Sequence, residues 1–140
     1  MPTLERAIEI AAKAHAGQTD KAGQPYILHP LRVMMAVSGA EEKIVAVLHD
    51  VVEDTSVALL DLKTEGFSDR VLNAVFALTK TTGEARINAA KRASRDPIAR
   101  AVKIADVSDN MDLKRIANPT EKDLARVEEY RQVLQLLQSS

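Results

Sequence analysis

Ile44-Val45-Ala46-Val47-Leu48, running into His49-Asp50-Val51-Val52-Glu53-Asp54, is the stretch on which the reading of this chain turns. An apolar run leads into six residues that carry four ionisable side chains. On a single helix, His49 shares a face with Glu53, and Asp50 shares one with Asp54. His49 and Asp50 lie about 100° apart, so the two pairs form one polar strip. Val47, Leu48, Val51 and Val52 point elsewhere, into a core. An ordinary amphipathic helix has no need of a histidine and three carboxylates packed this tightly. Carboxylates so close repel unless a cation or shared protons hold them together. The stretch therefore reads first as a metal site.

The rest of the chain sets the frame for that site. Its 140 residues suggest one domain, residues 1–140. A chain of this length buries roughly 70% of its unfolded surface, enough for one core. With two Phe, two Tyr and no Trp, that core must be aliphatic. The absence of cysteine excludes disulfides, thiolate metal sites and cysteine nucleophiles, and fits a reducing compartment. No apolar run approaches a membrane span, and Met1-Pro2-Thr3-Leu4-Glu5 lacks a signal-peptide pattern. A soluble, cytoplasmic protein without a membrane partner is expected. The net charge of −1 argues against nucleic acid as a partner.

Helical spacing dominates, with no alternating strand pattern, so the expected fold class is an all-α, single-domain helical bundle. Leu4, Ala7, Ile8, Ala11 and Ala14 mark a first helix with Thr3 as its cap. Residues 17–25 read as a loop. A second helix is expected to start at Pro30, and a third to run from about Glu41 to Asp54. Thr55 or Ser56 is expected to start a short helix closed by Gly66, and Ser68 to cap another. A helix is expected from Ile87 to Ser94. Asp96-Pro97 marks the start of a helix expected to reach about Leu113. Thr120 caps a C-terminal helix, about 120–138, with an apolar stripe of Val127, Tyr130, Val133, Leu134 and Leu137. The stripe is expected to dock on the domain; a dimer seam is the alternative, leaving a monomer or a homodimer open.

A metal needs ligands from several elements. Besides His49 the chain has His15 and His29, the latter at a loop-to-helix junction. Asp106 interrupts an apolar helical stretch, and an acid so embedded is usually paired or metal-bound. Asn110 lies one turn beyond it and Lys103 three residues before it.

The set His29, His49-Asp50 and Asp106 resembles the H…HD…D pattern of HD-domain metal-dependent phosphohydrolases. The surrounding text is more specific. Ala14-His15-Ala16-Gly17-Gln18, Pro25-Tyr26-Ile27-Leu28-His29-Pro30, Leu48-His49-Asp50-Val51-Val52-Glu53-Asp54-Thr55 and Val102-Lys103-Ile104-Ala105-Asp106 are similar to the hydrolase domain of Rel/Spo alarmone enzymes and to the stand-alone small alarmone hydrolases. The resemblance covers roughly residues 4–115 and implies an HD-type helical fold. No synthetase domain fits into 140 residues, so the activity expected is hydrolytic only.

The resemblance implies one metal ion held by His29, His49, Asp50 and Asp106, a donor set suited to Mn²⁺, with Fe²⁺ or Zn²⁺ possible. It implies Glu53 and Asp54 as the catalytic pair, and their crowding should raise at least one of their pKa values. Lys21, Lys103 and Asn110 are the implied substrate-binding residues, with Arg32 a weaker candidate. For His15 a packing role is expected. The implied reaction is Mn²⁺-dependent removal of the 3′-pyrophosphate of guanosine tetra- or pentaphosphate (ppGpp, pppGpp), giving GDP or GTP. Three positions depart from the Rel/Spo pattern: Asp20, Val107 and Asp112 stand where those enzymes usually carry basic residues. The departures leave open the same chemistry on another nucleotide, such as an adenine alarmone or an NADPH-like phosphate. A non-catalytic nucleotide sensor is a further alternative.

Overall fold

The structure, a computed structural model, describes residues 1–139. It is built from helices, and the described residues contain no strand beyond an isolated bridge between Thr19 and Pro25. The all-α bundle expected from helical spacing is therefore the fold found.

Helix α1 (Leu4–Ala14) is capped by Thr3, whose hydroxyl oxygen accepts the Arg6 N–H at 3.1 Å. Helix α2 spans Leu28–Ala36. It begins before Pro30, where a start was expected. Pro30 sits in the first turn, where its missing N–H leaves no bond unmade. Helix α3 (Ala40–Leu48) is the centre of the bundle, with α1 and α2 against it. Ile44, Val45, Ala46, Val47 and Leu48 are all buried. An apolar run with no polar face suits only a helix surrounded on every side.

The continuous helix expected from Glu41 to Asp54 is not what the chain forms. It breaks at His49-Asp50 and resumes as a single turn, α4 (Val51–Asp54). At the break the Ala46 carbonyl accepts both the His49 backbone N–H at 3.5 Å and His49 Nδ1 at 2.5 Å. In an unbroken helix, adjacent side chains diverge by about 100°. The break lets His49 and Asp50 enter one site.

Helix α5 (Leu59–Glu65) starts later than Thr55 or Ser56, because the Asp61 carboxylate accepts the Ala58 N–H at 2.8 Å and fixes the start there. Thr55 instead closes the preceding turn, donating to the Val51 carbonyl at 2.6 Å. Helix α6 (Asp69–Leu78) is capped by Ser68 as expected. Helix α7 covers Arg86–Ala93. Helix α8 (Pro97–Asn110) starts on Asp96, whose side chain accepts the Ala99 N–H at 2.9 Å. It stops at Asn110 rather than Leu113. A separate 3₁₀ turn, Leu113–Arg115, follows, with the Asp112 carboxylate accepting the Lys114 N–H at 3.0 Å.

Helix α9 (Glu121–Ser139) begins on a reciprocal cap. Thr120 Oγ1 accepts the Asp123 N–H at 3.2 Å, and Asp123 Oδ2 accepts the Thr120 N–H at 2.9 Å. Its apolar stripe docks on α7 and α8: Val133 and Leu137 are buried with Ala90 and Val107, and Tyr130 and Leu134 pack against them. Burying Val133 and Leu137 stabilises this docking by about 1.5–3 kcal/mol each. It also makes α9 a wall of the cleft over α8.

Candidate metal centre

Four side chains from three parts of the chain converge at the broken end of α3. His29 comes from α2, His49 and Asp50 from the break, and Asp106 from α8. One donor atom from each lies within 4.8 Å of all the others. His29 Nε2 is 2.9 Å from Asp106 Oδ1 and 3.7 Å from Asp50 Oδ2. His49 Nε2 is 3.0 Å from Asp50 Oδ2 and 3.3 Å from Asp106 Oδ1. His29, His49 and Asp106 are buried.

Each imidazole is oriented from behind. His49 Nδ1 donates to the Ala46 carbonyl, and His29 Nδ1 donates to Asp109 Oδ2 at 2.6 Å. A proton on Nδ1 leaves Nε2 with its lone pair facing the cluster. His49 Nε2 is buried there without an aligned hydrogen-bond partner. An orphaned imidazole nitrogen facing two carboxylate oxygens is the donor arrangement a divalent cation satisfies, and the four residues fit one.

The electrostatics agree. Burial pushes the His49 imidazole down, but Asp50 and Asp106 overturn this and hold its pKa well above the ordinary value. Burial also lowers His29, and its bonds to Asp106 and Asp109 outweigh it. Burial pushes Asp106 up, while Lys103, His49 and His29 hold it well below the ordinary carboxylate range. The cluster is thus an anionic pocket that favours positive charge.

The carboxylates of Glu53 and Asp54 stand on α4, on the wall of the same cleft. Glu53 Oε1 accepts the backbone N–H of Lys80 at 2.6 Å, which anchors it to the turn after α6. Asp54 is pushed up to about 6, by burial first and then by Asp50 and Glu53. A raised carboxyl was expected from crowding; crowding contributes, but burial is the larger cause.

Lys103 Nζ lies 3.0 Å from Asp106 Oδ2, and Asn110 Nδ2 donates to Asp106 Oδ1 at 3.1 Å. Both therefore touch a member of the cluster while lining the cleft. Lys21 is not in this group. It lines a second hollow beyond Tyr26, Asn110 and Tyr130, where its Nζ is 3.4 Å from Asp123 Oδ1. Arg32 faces away from the cleft and grips Asp109 with Nε at 2.8 Å and Nη2 at 3.1 Å. His15 packs its ring 4.9 Å from that of Tyr26, and Nδ1 meets Gln18 Oε1 at 2.8 Å. Gln18 Nε2 in turn donates to the Asp54 carbonyl at 3.1 Å, so the Gly17-Gln18 motif braces α4.

Several site residues are absent from the sequence candidates. The Tyr26 hydroxyl donates a short hydrogen bond to Asp50 Oδ2. Tyr130 separates the two hollows, with the Arg86 guanidinium 5.1 Å from its ring centre. These are the only tyrosines in a chain nearly devoid of aromatics, a signal that could have found them. Asp109 lies three residues after Asp106, a spacing that puts both on one helix face. Lys80 and Arg86, which also line the cleft, carry no motif and become visible only in the fold.

A helical bundle with two histidines and two aspartates converging at a helix break defines the class. The sequence profile of the HD domain matches residues 7–136, and the chain belongs to the HD-domain family. A Mycobacterium leprae protein named probable GTP pyrophosphokinase is 35% identical, over 94% of this chain and 18% of its own length. An Aquifex aeolicus protein named guanosine-3′,5′-bis(diphosphate) 3′-pyrophosphohydrolase is 40% identical, over 55% of this chain and 12% of its own. The chain thus spans less than a fifth of the length of either relative. A solved structure, described as a metazoan ortholog of SpoT that hydrolyzes ppGpp and plays a role in starvation responses, shares the fold with a TM-score of 0.80. That match is 22% identical and covers 98% of this chain and 86% of the other. No helix among the described residues is long and apolar enough to cross a membrane.

Proposed function

We propose that this chain is a divalent-metal-dependent phosphohydrolase that removes the 3′-pyrophosphate of ppGpp or pppGpp, and that Mn²⁺ is its metal. The observation that carries the reading is the convergence of His29, His49, Asp50 and Asp106, three of them buried, beside a carboxyl pushed up to about 6. The metal, when bound, supplies a Lewis acid that polarises the phosphoryl group and lowers the pKa of a water.

The chain's own residues supply the rest. Lys103 donates to Asp106 Oδ2, away from the Oδ1 that faces the imidazoles, while Tyr26 donates to Asp50 Oδ2, the oxygen that faces them, and so holds it in place. Glu53 and Asp54 orient the attacking water and take its proton. As the water oxygen bonds to phosphorus, the bond from phosphorus to the ribose 3′-oxygen breaks, and that oxygen gains a proton from the carboxyl pair. Lys103 keeps two ammonium donors for the phosphates beyond the one given to Asp106. Lys80 and Arg86 supply positive charge along the cleft, and Lys21 does so in the second hollow. Asn110, on the boundary between the hollows, contacts the nucleoside.

Asp20 is less of an obstacle than its charge suggests. Its Oδ1 accepts the Ala22 and Gln24 N–H groups, both at 2.9 Å, and its Oδ2 is 3.6 Å from Arg115. It shapes its loop and is offset by a cation, so it does not meet the substrate as a bare anion. The same chemistry on another nucleotide is the second reading, favoured by the mixed signs of Lys21, Asp112, Arg115, Asp123 and Arg126 in the second hollow.

Purified protein with Mn²⁺ should release pyrophosphate from ppGpp and leave GDP. Turnover of an adenine nucleotide or of NADPH in preference to ppGpp would establish the second reading. Binding of nucleotide without turnover of any of them would make the protein a sensor.

A further inference from the structure

Arg115 ends the 3₁₀ turn after α8 and lines the second hollow, yet its guanidinium reaches toward the metal centre. Its Nη2 donates to the Asp109 carbonyl at 2.8 Å and lies 3.5 Å from Asp109 Oδ2. That Oδ2 is the atom that accepts His29 Nδ1 at 2.6 Å. On its other side Arg115 faces the loop that carries Lys21, with Nη1 3.6 Å from Asp20 Oδ2. Asp20 Oδ2 and Arg115 Nε are both buried without a hydrogen-bond partner, and Nε lies 3.9 Å from Asp112 Oδ2, so the guanidinium stands among three acids with bonding capacity left over. Arg32 holds Asp109 from the far side with two hydrogen bonds. The path from loop to ligand is therefore continuous: Asp20, Arg115, Asp109, His29.

We propose that Arg115 is a positioning residue that couples the loop over the second hollow to the metal ligand His29 through Asp109. The inference rests on the reading of His29, His49, Asp50 and Asp106 as a metal centre. A carboxylate behind a metal-bound histidine fixes the ring and raises its basicity. How firmly Asp109 is held decides how well it does this. Arg115 hydrogen-bonds Asp109 and is steadied by Asp20 as an ion pair, so a ligand that moves the loop changes how firmly Arg115 is held against Asp109. A planar fork that spans two carboxylates is a task for arginine, which lysine performs poorly.

The test is Mn²⁺ affinity measured by calorimetry without nucleotide, so catalysis does not enter. D109N should weaken binding about 10- to 100-fold, the usual effect of losing a partner behind a ligand. R115M should weaken it about 3- to 10-fold, and D20N about 2- to 3-fold although Asp20 touches no ligand. D20N/R115M should be no weaker than R115M alone, because D20N acts only through Arg115. R115K should recover part of the loss. If R115M does not fold, the same cycle on R115K carries the test. Additive effects of D20N and R115M, or wild-type affinity in R115M, would overturn the coupling and leave the metal centre standing. A wild-type protein that bound no Mn²⁺ would overturn the metal centre and this inference together.

Discussion

Tyr26→Phe isolates a single interaction at the heart of the site. The substitution removes the hydroxyl that donates to Asp50 Oδ2 and leaves the ring packed between His15 and His29, at 4.9 and 5.7 Å. No buried donor is orphaned, because the hydroxyl itself is gone. The acceptor remains largely buried and loses a hydrogen bond to a charged group, a change of about 1.5–3 kcal/mol. His49 Nε2, still 3.0 Å from Asp50 Oδ2, compensates in part, so the lower end of that range applies. For a domain of this size each kcal/mol moves the melting temperature by about 3–5 °C. Metal-free Y26F should therefore melt about 4–8 °C below the wild type, and should bind Mn²⁺ about tenfold more weakly. Differential scanning calorimetry and Mn²⁺ titration read the two effects separately. Y26L, which also loses the ring packing, should fall further in both. A Y26F protein that matched the wild type in melting and in Mn²⁺ affinity would refute the claim that Tyr26 orients Asp50.

Other expectations follow from the same geometry. E53Q should lower turnover about 10²- to 10⁴-fold and leave metal content unchanged, as read by hydrolysis assay and elemental analysis; loss of metal as well would make Glu53 a ligand. The folded, metal-free protein binds a proton at Asp54 up to about pH 6, above the ordinary aspartate value of 3.8, so this group costs stability as pH rises from about 4 through 6. D54N should therefore stabilise the metal-free protein at pH 8 and not at pH 4, in urea unfolding at the two values. His29 and His49 are both raised, so Mn²⁺ must displace protons; its affinity should climb from pH 6 to pH 8, with proton release seen by calorimetry in buffers of different ionisation enthalpy.

Much of the fold is local and was legible as such. Thr3, Ser68, Asp96 and Thr120 cap the helices that follow them, because a side-chain oxygen within three residues of an orphan N–H needs no tertiary partner. Val47 and Leu48 were legible as core residues, and the structure buries the whole run from Ile44 to Leu48. Boundaries set by competing local bonds were not legible: Asp61 moved the start of α5, and the 3₁₀ turn ended α8 early.

For the site, the sequence by itself determined which residue types were available: three histidines, and carboxylates packed into an otherwise apolar helical context. It did not determine their division of labour. One helical strip from His49 to Asp54 was the natural reading of the spacing, yet the chain breaks between Leu48 and Val51. Only packing decides that, because the break is held by the Ala46 carbonyl within the core and by the approach of His29 and Asp106 from distant segments. Tyr26 behind Asp50, Asp109 behind His29 and Arg115 behind Asp109 were likewise decided by the tertiary structure. Their partners lie 24, 80 and 6 residues away, and two of those separations lie far beyond any helical period. Spacing identifies side chains that share a face of one helix, whereas the second layer of a metal site is built between helices.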